Sequence, residues 1–231
     1  MSPNHLYLFL FIILTGCNNP KEKETVPVAK EVVKVHVPTE RRFIAPELDY
    51  DKEIWTEITE NEIFSLDIRY ATEANFMKQK VYDCGRCFLE NETYNAFIQA
   101  SEELKSKGYK IILYDCYRPK PYQQRLWNIM PDARYVTPPQ KGSMHSRGRA
   151  VDLGLLHKDG SVVDMGTDYD FFGQEAHYAY PKHSDEIKAN RKLLREIMIK
   201  FDFKAIRTEW WHFSYKHSKS SFSEWVWPCD K

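Results

Sequence analysis

The sequence predicts a single α+β domain with a mainly antiparallel central sheet flanked by helices. The 231 residues include 42% hydrophobic and 14% aromatic side chains, which is enough for one well-filled core but short for two. Two stretches with helical spacing of apolar residues lie far apart in the chain. Strands and helices do not alternate regularly and no repeat is present, which disfavours a doubly wound parallel sheet.

The N-terminus predicts a lipoprotein signal peptide over residues 1–17. Residues 6–14 form an apolar run that is too short to span a bilayer as a mature helix but typical of a signal-peptide core. The tetrapeptide LTGC follows at once and resembles the lipobox of bacterial lipoproteins, in which the cysteine is acylated. We therefore expect a lipid on Cys17 and a location in the cell envelope, anchored to a bacterial membrane. The alternatives are an ordinary cleaved signal or an unlipidated apolar N-terminus.

Residues 18–43 are predicted to form a flexible tether before a folded domain at 44–231. Up to residue 42 the tether is rich in Lys, Glu, Pro and Val and lacks Trp, Tyr and Phe. It therefore has no aromatic side chains around which a hydrophobic core could form. Over the whole chain, Lys plus Arg and Asp plus Glu both number 33. This balance argues against nucleic acid as a partner and favours a small substrate.

Within the folded domain, the spacing of apolar residues predicts two amphipathic helices and a strand between them. The first helix is expected over 91–107 and stops before a glycine. Residues 109–114 (YKIILY) predict the strand. The second helix is expected over 184–201, with two acidic residues near its start. Turn signals around Gly160 and Gly166 predict short strands on either side.

Four cysteines remain once the predicted lipidation site is set aside: Cys84, Cys87, Cys116 and Cys229. An even number in an oxidising compartment predicts structural disulfides or buried thiols, with three pairings open. The CGRC stretch at 84–87 could by itself form a local bridge, half of a metal site or a redox pair. A second CxxC that would complete a zinc knot is missing.

Two candidate metal ligands lie in the stretch SMHSRGRAVD at residues 143–152. His145 occupies a glycine-containing loop, and Asp152 follows where a strand could direct its carboxylate toward the imidazole. Histidine nitrogen and carboxylate oxygen are both good zinc ligands. Two ligands alone do not make a catalytic site.

The stretch EWWHF at residues 209–213 supplies the missing parts. His212 is a third candidate ligand, and Glu209 is a nearby carboxylate. A catalytic zinc ion needs three protein ligands, an open position for water, and a carboxylate that takes the water's proton. We therefore predict one zinc ion per chain and Glu209 as the general base.

Arg118 is a candidate for stabilising charge on the substrate. It lies in the stretch YDCYRP at the end of the predicted strand, where a fixed cation could stabilise the oxyanion formed during attack on a peptide carbonyl. Taken singly, each of these residues is more often structural, but their joint presence indicates a hydrolase.

Together these motifs resemble the D-alanyl-D-alanine dipeptidases, the VanX-like branch of the zinc D,D-peptidases, which share a fold with the hedgehog signalling domain. The similarity runs from about residue 66 to residue 213, through LDIRYATEANF, YRPK, SMHSRGRAVDL, MGTDYDFF and EWWHF. It implies that His145, Asp152 and His212 bind zinc, that Glu209 is the base, and that Arg118 polarises the scissile carbonyl.

The resemblance also implies a substrate-binding group. It places Asp170 and Tyr70 at the free ammonium group of a dipeptide and Ser143 near the dipeptide. Read without the resemblance, Asp170 could cap a turn and Tyr70 could pack in the core. The cytoplasmic resistance enzymes are not associated with two features of this sequence. These are the insertion that contains Cys84 and Cys87, and the cysteine at position 229, Cys229.

The function expected from the sequence is zinc-dependent hydrolysis of D-Ala-D-Ala or similar dipeptides, linked to cell-wall peptide metabolism. One alternative is a carboxypeptidase that trims peptidoglycan stem peptides, which Asp170 and Tyr70 disfavour because an ammonium-binding carboxylate near the scissile bond limits the substrate to two residues. Another is a non-enzymatic wall-binding lipoprotein. Glu209 and Arg118 disfavour this non-enzymatic hypothesis because neither residue is needed to hold zinc.

Overall fold

The computed structural model describes residues 49–229. The predicted signal peptide, the lipidation site Cys17 and the predicted tether lie outside the described residues. Within residues 49–229, every helix falls short of the length and apolar content that a membrane crossing requires.

The described residues form seven strands and three α-helices. In chain order they are β1 (Trp55–Ile58), β2 (Phe64–Leu66), β3 (Cys87–Glu90), α1 (Asn91–Ser106), β4 (Lys110–Asp115), α2 (Lys120–Ile129), β5 (Ala150–Leu156), α3 (Asp185–Lys200), β6 (Phe203–Ala205) and β7 (His212–Tyr215).

The main sheet has five strands in the order β2-β4-β5-β7-β6, and β1 pairs with β3 in a separate two-stranded sheet. All neighbouring strands are antiparallel except β2 and β4, which are parallel. The predicted α+β class with a mainly antiparallel sheet is therefore confirmed. The parallel pair at one edge makes the main sheet mixed.

The two predicted helices are present as α1 and α3. The Glu90 side chain accepts a hydrogen bond from the Thr93 backbone N–H at the start of α1, and the Ser184 side chain accepts one from the Ile187 N–H at the start of α3. Both caps satisfy donors that the first helical turn leaves free. The predicted strand is present as β4.

Helix α2 was not expected from the sequence. It begins after Pro119, and a second proline lies in its first turn. Proline is tolerated there because its missing N–H would have had no partner inside the helix. The two prolines were therefore the signal in the sequence that could have predicted the start of this helix.

The expectation of short strands around Gly160 and Gly166 is confirmed only on one side: β5 precedes Gly160, but in the described chain no strand follows either glycine before α3. Between β5 and α3 the only β pairing in the described chain is an isolated bridge between Leu156 and Val162. The buried guanidinium of Arg191 donates hydrogen bonds to three backbone carbonyls of the loop, those of Met165, Glu175 and His177. Because a side chain satisfies these acceptors, the loop stays ordered without a strand ladder.

The structure assigns the cysteine pairing that the sequence left open. Cys84 is bonded to Cys229, and Cys87 is bonded to Cys116. A local bridge within CGRC is thereby excluded. Cys87 and Cys116 are both buried.

Candidate active site

All eight residues predicted for catalysis, metal binding and substrate binding line one cavity of about 290 Å³. They are Tyr70, Arg118, Ser143, His145, Asp152, Asp170, Glu209 and His212. A larger cavity of about 560 Å³, beside Trp55 and Trp225, contains none of them. The fold therefore brings together residues that lie as far apart as 70 and 212 in the sequence.

The candidate metal ligands converge because of strand register. Asp152 in β5 pairs directly with His212 in β7, so their side chains project from the same face of the sheet. The Asp152 Oδ1 atom lies 2.9 Å from His212 Nδ1 and 3.3 Å from His145 Nε2. The two imidazole nitrogens are 3.2 Å apart. One ligand atom from each residue lies within 4.8 Å of the others, a group that could hold a metal ion.

His145 is oriented by the backbone. Its Nδ1 atom lies 2.7 Å from the carbonyl oxygen of Cys116. A carbonyl can only accept, so Nδ1 carries a proton and Nε2 is the nitrogen that faces Asp152 and His212. A hydrogen bond of this kind on the non-ligating nitrogen is typical of metal-binding histidines. Two histidines and one carboxylate, with one imidazole already oriented, fit a catalytic zinc ion.

Asp152 is ionised despite its burial. Burial opposes the charge, but the neighbouring His145 and His212 lower the pKa of Asp152 well below its usual range. The Tyr169 hydroxyl donates a hydrogen bond to the second carboxylate oxygen at 3.1 Å. The carboxylate is thus held in its ligating form, with one oxygen turned toward the histidines.

Glu209 lies three residues before His212 and borders the same cavity. Burial raises the pKa of Glu209, while His212 has a smaller lowering effect. A carboxylate with a raised pKa is a stronger proton acceptor than an ordinary one, as a general base requires. The arrangement therefore allows Glu209 to shuttle protons beside the candidate metal group.

Arg118 is a fixed, buried cation. Its Nε and Nη2 atoms donate to Asp115 Oδ2 at 3.1 and 2.5 Å, and its Nη1 atom donates to Gln123 Oε1 at 3.0 Å. Burial opposes the charge, yet Asp115 raises the pKa of Arg118 well above its ordinary value. Sequence reasoning missed Asp115 and Gln123. The acidic residue three positions before the arginine was the signal in the sequence that could have predicted this ion pair.

Asp170 and Tyr70 meet within the cavity. The Tyr70 hydroxyl donates to Asp170 Oδ2 at 2.8 Å. Asp170 has a φ of +58°, a left-handed conformation that costs a non-glycine residue energy and recurs at functional sites. Burial, together with the charge of Asp152, raises the pKa of Asp170 to about 8. A cationic ligand would favour the ionised form of this carboxylate.

Ser143 lines the cavity beside the turn that contains His145. Its hydroxyl accepts a hydrogen bond from the Ser146 backbone N–H at 3.4 Å. This contact holds the serine at the cavity wall, where its hydroxyl can meet a polar ligand.

Three aromatic side chains form a rim beside this cavity, which we call the aromatic rim: Phe76, Tyr135 and Phe172. The ring centroid of Phe172 lies 4.6 Å from those of Phe76 and Tyr135. Tyr135 and Phe172 line the cavity yet are 43% and 46% exposed. They therefore border both the cavity and the solvent, a role that sequence reasoning did not assign.

The sequence profile of a family described as D-ala-D-ala dipeptidase, peptidase M15, matches residues 60–224. The D-alanyl-D-alanine dipeptidase of Escherichia coli K12 is 34% identical over 155 residues, which cover 67% of this chain and 80% of that protein. The enzyme of the same name from Enterococcus faecium is 33% identical over 170 residues, covering 64% and 83%. Its counterpart in Enterococcus faecalis is 32% identical over 171 residues, with the same coverage.

Proposed function

This chain belongs to the peptidase M15 family and is a metallopeptidase of the dipeptidase type, and from that premise we propose that it hydrolyses D-Ala-D-Ala or a closely similar D-containing dipeptide with a zinc ion. One observation supports the proposal. The His-Asp-His group, the Glu209 carboxylate, the buried Arg118 cation and an acidic residue, Asp170, that could bind an ammonium group all line one small cavity.

In this proposal His145, Asp152 and His212 hold the zinc ion. When bound, zinc supplies Lewis acidity and lowers the pKa of water. Glu209 takes the proton of the attacking water and delivers it to the nitrogen of the leaving amine. The raised pKa of Glu209 suits both steps, because the carboxylate must gain and lose one proton in each cycle.

Arg118 stabilises the negative charge that develops on the scissile carbonyl oxygen. Asp115 and Gln123 engage its Nε, Nη1 and Nη2 atoms, so the guanidinium is held in place before substrate binds. A preorganised cation does not have to reorganise during the reaction, which makes it more effective than a mobile one.

Asp170 and Tyr70 account for the dipeptide preference. The Asp170 carboxylate lies in the same cavity as Glu209 and can pair with the free ammonium group of a short substrate. A cavity of about 290 Å³ is at the small end of ligand pockets. An ammonium group bound in the same small cavity as the catalytic carboxylate leaves no room for a longer stem peptide on that side.

The proposed location is the cell envelope, with a lipid on Cys17 and a role in cell-wall peptide metabolism. The lipobox-like LTGC at residues 14–17 and the two disulfides support this location. Disulfides persist mainly outside the cytoplasm.

The test is release of alanine from D-Ala-D-Ala by the purified protein, before and after zinc removal. N-acetyl-D-Ala-D-Ala is the matched substrate, since it lacks the ammonium group that Asp170 would bind. We expect chelator-sensitive cleavage of the free dipeptide and little cleavage of the acetylated one. Preference for the acetylated substrate would instead indicate a carboxypeptidase, and zinc-loaded protein that cleaves neither would refute the proposal.

A further inference from the structure

We propose that the Cys87–Cys116 disulfide is a positioning element for the candidate metal ligand His145, so that loss of this one bridge weakens metal binding. The proposal rests on the zinc site inferred above and adds to it a covalent support outside the ligand set. The second bridge, Cys84–Cys229, has no such role and serves as an internal comparison.

Cys116 is in direct contact with His145. The Cys116 carbonyl oxygen accepts the Nδ1–H of His145 at 2.7 Å, and both residues are buried. This hydrogen bond sets the tautomer of the imidazole and the direction of its Nε2 lone pair. The position of the Cys116 backbone therefore determines how well His145 is aimed at Asp152 and His212.

Cys116 lies where the strand ladder has already ended. Strand β4 pairs regularly with β5 up to Leu113, a shift of register follows, and Asp115 is the last residue paired. Beyond this point no ladder fixes the backbone, so the carbonyl that orients His145 needs another support. The disulfide is attached at this residue.

The other end of the bridge is anchored in a different sheet. Cys87 is the first residue of β3, is fully buried, and pairs with Ile58 of β1. The bridge thus joins the two-stranded sheet to the end of β4. The Tyr117 backbone N–H donates to the Phe88 carbonyl at 2.8 Å and reinforces the same junction.

The supported segment also includes Arg118. Its backbone N–H donates to the His145 carbonyl oxygen at 3.0 Å. Together with the bond from His145 Nδ1 to the Cys116 carbonyl, two hydrogen bonds therefore join residues 116–118 to the turn that contains His145. A shift of this segment would move the imidazole and the guanidinium together.

The Cys84–Cys229 bridge lies elsewhere. Neither cysteine lines the cavity or hydrogen-bonds to a candidate ligand in the described part of the chain. Trp227, near the C-terminal end of this bridge, is buried and donates through Nε1 to the Cys84 carbonyl at 3.3 Å. This bridge closes a sequence separation of 145 residues, compared with 29 for the other. By loop-closure entropy it should contribute more to stability.

The experiment compares the paired variants C87A/C116A and C84A/C229A in otherwise intact, metal-stripped protein. Zinc affinity is measured by competition with a chromophoric chelator, and folding by circular dichroism and thermal unfolding. We expect the zinc Kd to rise about 10-fold in C87A/C116A, the lower end of what loss of an orienting partner costs. In C84A/C229A the Kd should change less than about 2-fold although its Tm falls further.

An unchanged Kd in folded C87A/C116A, or an equal loss of affinity in both variants, would overturn the positioning role. Wild-type protein that binds no zinc would instead refute the proposed metal site, so the two failures are distinguishable. If C87A/C116A does not fold, C87V/C116A takes its place, because valine refills part of the lost sulfur volume. The same changes in zinc Kd and Tm, relative to C84A/C229A, are then expected.

Discussion

Asp152 and His212 lie directly opposite each other on neighbouring antiparallel strands, with Oδ1 of the carboxylate 2.9 Å from Nδ1 of the imidazole. The pairing register of β5 and β7 thus fixes two of the three candidate ligands without any contribution from a loop. His145 alone comes from a turn, and the Cys116 carbonyl orients it. A one-residue slip of either strand would turn its ligand to the opposite face of the sheet.

Replacing Glu209 with glutamine should separate metal binding from turnover. The amide of the new side chain cannot accept the water proton, so kcat should fall by about 10²- to 10⁴-fold, the usual contribution of a general base. Zinc content should stay at the wild-type level because Glu209 is outside the His-Asp-His group. Metal analysis and alanine release from the same sample check both points. Activity within a few-fold of wild type would remove Glu209 from the mechanism.

Asp170→Asn should change how the stability of the metal-free protein depends on pH. The folded-state pKa of Asp170 is raised from 3.8 to about 8, so between these values the folded protein holds a proton that the unfolded chain has released. Raising the pH through this window therefore favours unfolding. The asparagine variant lacks this contribution, and its Tm should fall less than that of wild type between pH 5 and pH 8. Parallel Tm curves for the two proteins would contradict the assignment.

Asp115→Asn should destabilise the fold strongly. Asp115 is fully buried and accepts two hydrogen bonds from Arg118, so the variant leaves a buried guanidinium without its counter-charge. Breaking a buried pair in this way costs about 3 kcal/mol or more of the free energy of unfolding. Glu103→Gln, at the exposed pair with Lys200, is the control and should unfold like wild type. Urea titration of both variants makes the comparison.

Phe172→Ala should relax the limit on substrate length. The side chain contacts both other members of the aromatic rim, and its removal widens the cavity toward solvent. We expect the ratio of kcat/KM for tri-D-alanine over D-Ala-D-Ala to rise about 10-fold, a modest share of what pocket shape can contribute to specificity. The neighbouring Phe171 is exposed and does not line this cavity, so Phe171→Ala is the matched control. An equal ratio in the two variants would show that the rim does not limit length.

Local patterns in the sequence were sufficient for several elements. The helical spacing over 91–107 and 184–201 predicted α1 and α3, and the stretch YKIILY at 109–114 predicted β4. These elements depend on contacts between near neighbours, so their periodicity is visible in the chain itself. The parallel pairing of β2 with β4 was not visible, because pairing is decided by partners distant in sequence.

For the candidate site, the sequence by itself determined the residue types: a His-Asp-His set, a nearby glutamate and an arginine, each within a recognisable motif. Only the tertiary structure decided how they are held. Strand register brings Asp152 to His212, Asp115 and Gln123 hold Arg118, and one of three possible cysteine pairings supports the Cys116 carbonyl. The physical reason is that ligand chemistry belongs to single side chains, whereas distances among them are set by backbone pairing and packing between segments remote in sequence.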